Sequence, residues 1–86
     1  MSVSVLIPTV LRKFTSGKEE VLASGKTVRE VIHSLGLEST LYEESGELKP
    51  FINIYVNDED IRFLSQLDTP VKPQDTITIL PAIAGG

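Results

Sequence analysis

The sequence ends in Gly85-Gly86, and this pair is the feature best suited to a specific chemistry. At an average glycine frequency of about 7%, chance gives such an ending in about one chain in two hundred. Two residues without side chains can thread a narrow channel, and Gly86 presents a carboxylate with no Cβ to obstruct a reacting centre. The five residues after Pro81 span at most about 17 Å when extended. We expect this terminus to enter another protein's active site; chance, an artificial addition and trimming are the alternatives.

Three other patterns invite a chemical interpretation, but each has a simpler structural one. Gly25-Lys26-Thr27 resembles the end of a phosphate-binding loop, yet the glycine required five positions earlier is Glu20. Asp58-Glu59-Asp60 offers too few oxygens for a hard cation and is typical of a solvated turn. His33 has no serine or cysteine partner at a recognisable spacing. We interpret the three as a turn with a helix cap, a hairpin turn and a surface or boundary histidine.

Length and composition exclude several kinds of protein. The chain has 86 residues, 41% of them hydrophobic, which is enough for one small domain. It has no cysteine, which excludes disulfides, thiolate nucleophiles, iron–sulfur clusters and cysteine-based zinc sites. A single histidine excludes multi-histidine metal sites. We expect no bound cofactor, no metal and no self-contained enzyme activity.

The charge balance favours a protein partner. There are 8 basic and 12 acidic residues, for a net charge of −4, which is the wrong sign for neutralising phosphates. A basic protein surface suits this chain better than nucleic acid does. The first residues contain no basic segment, and no apolar stretch is long enough to span a membrane. The expectation is a cytoplasmic protein without a membrane partner.

The first half of the chain predicts two strands and a helix. Alternating apolar residues predict a strand over residues 2–7, which Pro8 ends, and a loop over 8–18 connects it to a second strand over 19–24. Thr27 and Glu30 form a capping box, so a helix begins at Val28 and ends near Gly36. The apolar stripe that this helix packs on the sheet consists of Val28, Val31, Ile32 and Leu35.

The second half predicts three more strands. Residues 37–50 are mostly loop, with one short helical turn around Leu37, Leu41 and Tyr42. Residues 51–57 alternate in the manner of a strand, 57–60 form a turn, 61–64 a short returning strand, and 76–80 a last strand that Pro81 stops. The order β-β-α-β-β-β predicts an α+β roll with a mixed sheet of four to five strands. Its first and last strands are parallel neighbours at the centre.

One face of the predicted sheet has no helix to cover it. Phe51 and Tyr55 fall on this face by strand alternation, and Leu6, Thr78 and Leu80 extend it if the register holds. Scattered exposed apolar residues are normal on protein surfaces, whereas a contiguous group marks an interface. The residues therefore form either a docking patch or an incidental cluster, and we select Phe51, Tyr55 and Leu80 as docking candidates.

A small helix-on-sheet roll ending in Gly-Gly resembles the ubiquitin-like β-grasp proteins, and among them the sulfur carriers of the ThiS/MoaD family. The segments FINIYVNDEDIRF at 51–63 and TILPAIAGG at 78–86 are especially similar to the carrier branch of cysteine biosynthesis. The likeness spans nearly the whole chain. It implies a β-grasp domain over residues 1–81 and a flexible tail over 82–86.

The resemblance also implies a chemistry in which the chain is a co-substrate and not an enzyme. An E1-like enzyme adenylates the carboxylate of Gly86 with ATP and Mg²⁺, and a sulfur donor converts the acyl-adenylate to a thiocarboxylate. Gly85 keeps the approach open, and the threading tail that meets the partner is Pro81, Ala82, Ile83 and Ala84. In the cysteine branch the acceptor is a pyridoxal-phosphate enzyme similar to cysteine synthase, and a C-terminal peptidase trims the product.

Other functions remain open at this point. The chain could instead be a thiamine-type carrier, or the small subunit of molybdopterin synthase, in which the tail enters a large synthase subunit. It could be a protein modifier, in which Gly86 forms an isopeptide with a target lysine. A pure interaction domain whose Gly-Gly ending is incidental is the remaining alternative.

Overall fold

Five strands form one mixed sheet in a computed structural model that describes residues 2–81. The strands are β1 (Val3–Leu6), β2 (Glu20–Ala23), β3 (Ile52–Val56), β4 (Glu59–Asp60) and β5 (Thr76–Pro81). Their order across the sheet is β2-β1-β5-β3-β4. The first and last strands, β1 and β5, are parallel neighbours, and the other pairs are antiparallel. The predicted α+β roll is therefore confirmed.

The helix α1 (Val28–Leu35) forms as its capping residues predict. The Thr27 hydroxyl accepts the Glu30 backbone N–H at 3.2 Å, and the Glu30 carboxylate accepts the Lys26 N–H at 3.0 Å. At the other end Gly36 adopts φ 70°, the left-handed conformation expected of a C-terminal cap. No helix within residues 2–81 combines the length and the apolar character needed to cross a membrane.

The core lies between α1 and one face of the sheet. Val28, Val31 and Ile32 of the predicted stripe are buried, and Leu35 packs against them at the margin. Each of the three central strands presents alternate aliphatic side chains to this core: Val3, Val5, Ile52, Ile54, Val56, Ile77 and Ile79. The helical turn predicted after α1 is α2 (Glu38–Leu41), whose flanking Leu37 and terminal Leu41 are fully buried.

The predicted loop at 8–18 contains a 3₁₀ helix, η1 (Thr9–Phe14), so that interpretation was incomplete. Leu11 is 6% exposed and anchors the turn on the core. The Arg12 Nε donates to the Ile7 carbonyl oxygen at 3.1 Å, which ties η1 to the end of β1. A helix of this length is too short to give a periodic sequence signal.

The prediction of a returning strand at residues 61–64 is wrong, because the returning strand is β4 at Glu59–Asp60. Asn57 and Asp58 have φ values of 51° and 76°, so the hairpin turns within two residues and β4 begins at Glu59. Residues Ile61–Phe63 form a second 3₁₀ helix, η2, because the Asp60 carboxylate accepts the Arg62 backbone N–H at 2.9 Å and caps it.

The sequence predicts that the last strand ends before Pro81, but in the structure Pro81 is the final residue of β5. It pairs with Ile52 of β3 in the register of the sheet. The pairing of β1 with β5 ends at Thr78, so β5 is an edge strand by the time the chain reaches Pro81. A proline is tolerated there because its missing N–H has no neighbouring strand to bond on that side.

Candidate functional site

The site begins where the described chain ends, at Leu80 and Pro81 of β5. Asn53 and Ile52 of β3 lie opposite these two residues in the sheet. The predicted reactive residue Gly86 and its neighbour Gly85 lie outside the described residues, as do Ala82, Ile83 and Ala84 and the proposed tail boundary at residue 82. The structure therefore describes the surface around Leu80 and Pro81, which we call the base of the tail, and not the tail itself.

This base is held by the best-anchored strand of the sheet. β5 pairs with β1 on one side and with β3 on the other, in both cases over several residues. Its inward side chains Ile77 and Ile79 are 0% and 1% exposed. A strand with two neighbours and a buried face has few ways to move without breaking the core. The position of Pro81 relative to the rest of the surface is thus well determined.

The predicted docking residues fall on the sheet face that α1 does not cover. Leu6, Thr78 and Tyr55 occupy one row across β1, β5 and β3, and Leu80 lies beside Asn53 in the next row. Leu80 is 46% exposed and Phe51, which continues the alternation of β3, is 51% exposed. Tyr55 is partly buried. The strand pairings confirm the register that places Tyr55 and Leu80 on this face, whereas Phe51 lies just before the paired residues of β3. The role of all three residues in docking stays a prediction.

Leu22 belongs to the same open face and was missed. Leu22 lies in β2, pairs with Ser4 of β1 and is 68% exposed. The run Val21-Leu22-Ala23 is apolar throughout, so the sequence did not show which of its side chains point outward. The signal that would have found Leu22 is the pairing of β2 with β1, which the sequence does not specify.

A groove of about 340 Å³ lies on the open face beside the end of β5. Its lining combines apolar side chains with Thr78 and three charged side chains: Leu6, Ile7, Pro8, Ile79, Leu80, Thr78, Arg12, Glu19 and Glu20. The Arg12 guanidinium and the Glu19 carboxylate are 3.8 Å apart. The groove thus offers an apolar floor with charges at one margin, directly next to the point where residue 82 follows.

Cationic and aromatic side chains surround the same end of the sheet. The Lys13 Nζ lies 5.2 Å from the centre of the Phe14 ring, and the Lys49 Nζ lies 5.9 Å from that of Phe51. These distances fit cation–π contacts. No sequence pattern groups these four residues, because Lys13 and Lys49 are 36 positions apart and only the sheet brings their segments to one end.

Arg62 completes this group from the β4 side. Its guanidinium donates to the carbonyl oxygen of Ile52 at 2.9 Å, to that of Pro50 at 3.3 Å, and to the Asn53 side chain. These bonds lock the segment that precedes β3 against η2. Arg62 also lies 3.8 Å from the Asp60 carboxylate.

The three patterns set aside in the sequence have structural roles. Of the acidic triplet, Asp58 lies in the hairpin turn, and Glu59 and Asp60 form β4. A Cβ at Gly25 would lie 2.7 Å from the Val31 backbone nitrogen, so Gly25 allows the turn to approach α1 closely. His33 is exposed at 79% of its side chain and contacts the Glu38 carboxylate through Nδ1. The backbone hydrogen bond of Glu38, and then His33, hold the pKa of that carboxyl below its usual value. Among residues 2–81, no three histidine, aspartate or glutamate side chains are grouped to hold a metal ion.

Comparison with known proteins gives one consistent family. A family model described as "ThiS family" matches residues 5–86. The sulfur carrier protein CysO of Mycobacterium tuberculosis is 48% identical, with 100% of both chains covered. CysO in a crystal structure of the Amycolatopsis orientalis BexX/CysO complex superposes with a TM-score of 0.90 at 49% identity, covering 98% of this chain and 99% of that one. Small archaeal modifier protein 1 from Methanosarcina acetivorans gives a TM-score of 0.83 at 34% identity, covering 99% and 96%.

Proposed function

This chain belongs to the ThiS family, and from that premise we propose that it is a sulfur carrier for cysteine biosynthesis. The observation that carries the proposal is the 48% identity to a sulfur carrier protein along the full length of both chains. The matched region includes Gly85-Gly86, whose carboxylate is the only part of the chain that the chemistry changes. The protein acts as a substrate of other enzymes, and the globular part serves to present that carboxylate.

The proposed reaction activates the carboxylate in two steps. In the first, an oxygen of the Gly86 carboxylate attacks the α-phosphorus of ATP and pyrophosphate leaves. In the second, sulfide attacks the carbonyl carbon of the acyl-adenylate and AMP leaves, which gives the thiocarboxylate. The E1-like partner supplies the nucleotide site, the Mg²⁺ and the sulfur donor. The absence of a Cβ at Gly86 leaves the carbonyl open to each incoming group.

The thiocarboxylate then acts as the sulfur nucleophile for a second partner. We assign this role to a pyridoxal-phosphate enzyme similar to cysteine synthase, followed by a peptidase that removes the product from the terminus. Identity to a CysO-type carrier supports this branch over the molybdopterin and thiamine branches. A CysO-type relative has been crystallised in a complex with a second protein, BexX, which supports function through protein partners.

Docking on these partners uses the open sheet face. Tyr55 and Leu80 lie on that face, and Phe51 directly precedes Ile52, the residue opposite Pro81 at the base of the tail. Because the tail reaches at most about 17 Å beyond Pro81, any protein that takes up Gly86 must also approach this part of the surface. Apolar contacts there orient the carrier while the tail enters the channel.

A protein-modifier function is the second candidate. The observation that favours it is the structural match to a small archaeal modifier protein at 34% identity. A modifier would share the adenylation step, after which a target lysine would attack the carbonyl carbon to form an isopeptide bond. Conjugates of high molecular weight that resist thiols would distinguish this function from sulfur transfer.

A growth experiment in the native host tests the cysteine assignment. A strain lacking the gene should require cysteine when sulfide is the sulfur source, and the wild-type chain should restore growth. A chain without Gly86 should fail to restore it, whereas the Lys72→Gln variant, changed at an exposed residue before the start of β5, should succeed. Growth of the deletion strain without cysteine, accompanied by loss of molybdoenzyme activity or of thiamine synthesis, would contradict the cysteine branch.

A further inference from the structure

All three phenylalanines of the chain lie on its surface. Phe14, Phe51 and Phe63 are 49%, 51% and 88% exposed, while the buried hydrophobic residues are all aliphatic. An aromatic side chain buries more apolar area than any aliphatic one, so a small domain gains most by placing it in the core. Aromatic residues are also enriched at the centres of protein interfaces. Their uniform exposure here indicates a surface that is covered by a partner.

The three segments that carry these rings lie around the end of β5. Phe14 ends η1, which follows β1 on one side of β5, and Phe51 directly precedes Ile52, the residue opposite Pro81. Phe63 follows Arg62, whose guanidinium is bonded to the carbonyl oxygens of Pro50 and Ile52. The fold therefore brings together three segments that are distant in the sequence.

Two of the rings have a cation beside them, whereas the Arg62 guanidinium next to Phe63 in the sequence is bonded to the backbone before β3 and lies 3.8 Å from the Asp60 carboxylate. Lys13 and Lys49 lie over Phe14 and Phe51, and Arg62 is the neighbour of Phe63 in η2. Within the described part of the chain neither lysine forms an ion pair, so both charges are available to a partner. We call this set the collar; it consists of Lys13, Phe14, Lys49, Phe51, Arg62 and Phe63. Its basic character contrasts with the net charge of −4 of the whole chain.

We propose that the collar seats on the mouth of the channel through which the adenylating enzyme takes up residues 82–86, and that this mouth carries apolar pockets edged by carboxylates. The inference rests on the proposed function, because it requires the tail to enter an enzyme. The tail's reach of about 17 Å forces the collar against the surface around that channel. Rings then fill pockets and cations pair with carboxylates, so contact is restricted to one orientation.

The proposed partner surface is acidic, which is the opposite of the basic surface that the net charge alone predicts. A net charge of −4 favours a basic partner surface, but only the surface near the terminus comes into close contact. Over distances longer than about 10 Å, salt screens the remaining charges of the chain. The local basic collar therefore determines the contact, and the acidic remainder disfavours other orientations.

Binding kinetics with the purified adenylating enzyme of the same host test the collar. The Lys13→Glu/Lys49→Glu variant should associate about tenfold more slowly at low salt, with the difference shrinking as salt is added. Its matched control is Lys72→Glu, an exposed lysine just before the start of β5, at the far end of the sheet. The Phe14→Ser/Phe63→Ser variant should dissociate about tenfold faster, with Lys72→Glu again as the control outside the collar.

The melting temperature and the conversion of the terminus to a thiocarboxylate are measured on the same protein samples. These side chains are exposed except for Lys49, which is partly buried, so each variant should keep the wild-type melting temperature within a few degrees. Equal association and dissociation rates for collar and control variants would overturn the collar, even if the wild-type terminus is converted to a thiocarboxylate. Failure of that conversion would instead overturn the proposed function, and the binding rates would still decide whether the collar is an interface.

Discussion

The two faces of β5 perform different tasks within one strand. Ile77 and Ile79 point into the core and are 0% and 1% exposed, whereas Leu80, on the opposite face, is 46% exposed. The covered face is aliphatic and close-packed under α1, and the open face carries the partly exposed groups beside the terminus. The difference shows that stability and recognition are assigned to alternate residues of the same strand, so substitutions should separate the two properties.

The largest effect on stability is expected on the covered face. Ile77→Ala removes a fully buried side chain between β1 and β3 and should lower the free energy of unfolding by about 2 to 5 kcal/mol. Urea denaturation of the purified chain measures this, with Thr78→Ala on the opposite face as the control. A loss below about 0.5 kcal/mol for Ile77→Ala would show that the faces do not differ as described.

Gly25 tests how closely the helix is held over that face. A Cβ there would lie 2.7 Å from the Val31 nitrogen and 2.9 Å from the Glu30 Cβ, so Gly25→Ala must displace the start of α1. We expect a loss of about 1 to 3 kcal/mol in denaturation experiments. Gly36→Ala is the comparison, because Gly36 has φ 70° but no neighbour within 4 Å, and it should cost about 1 kcal/mol. A neutral Gly25→Ala variant would contradict the close approach.

Acid should weaken the end of the molecule far from the terminus. The Asp75 carboxylate accepts the Asn57 side-chain N–H at 2.9 Å and the Lys72 backbone N–H at 2.8 Å. These two bonds, the Asn57 bond first, lower the pKa of Asp75 below its ordinary value of 3.8. The folded state thus binds this proton less readily than the unfolded state. The stabilising contribution is complete above the ordinary value and is lost as pH falls below it.

Asp75→Asn provides the matching measurement. The variant should unfold at lower denaturant concentration than the wild type near neutral pH, and the gap should close as the pH falls below 3.8. Glu59→Gln, an exposed carboxyl on β4, is the control. A gap between Asp75→Asn and wild type that stays constant from neutral pH to below 3.8 would refute the assignment.

The smallest effect on stability, and the clearest on function, is expected on the open face. Leu80→Ser should change the free energy of unfolding by no more than about 0.5 kcal/mol, because its side chain is half exposed. It should nevertheless slow adenylation of the terminus about tenfold at limiting enzyme, since its contacts form only in the complex. An adenylation rate equal to that of wild type would remove Leu80 from the docking surface.

Local signals account for most of the fold that the sequence predicted. The alternation of residues 2–7 and 51–57, the Thr27 and Glu30 cap, and the stripe of α1 depend only on neighbours along the chain. The 3₁₀ helices were missed because segments of three to six residues show no periodicity. The strand β4 was predicted two residues too late because the left-handed conformations of Asn57 and Asp58 were not anticipated.

The candidate site also has one part that a local sequence pattern predicts and one part that only the folded structure shows. The reactive terminus is a pattern of adjacent residues, so the sequence alone suggested Gly85 and Gly86. The collar is a tertiary arrangement, because the segments of Phe14, Phe51 and Phe63 come to one end of the sheet only through the strand order β1-β5-β3-β4. Exposure of an aromatic ring is likewise a property of the packed domain, which explains why Phe14 and Phe63 passed unnoticed.

The central claim is that the carboxylate of Gly86 becomes a thiocarboxylate. Intact mass spectrometry of the full chain, before and after incubation with the adenylating enzyme, ATP, Mg²⁺ and sulfide, tests it most directly. The account predicts a mass increase equal to the exchange of one oxygen for sulfur, localised to Gly86 by fragmentation and absent when ATP is omitted. An unchanged mass, with an enzyme shown to thiocarboxylate a related carrier in parallel, would contradict the account.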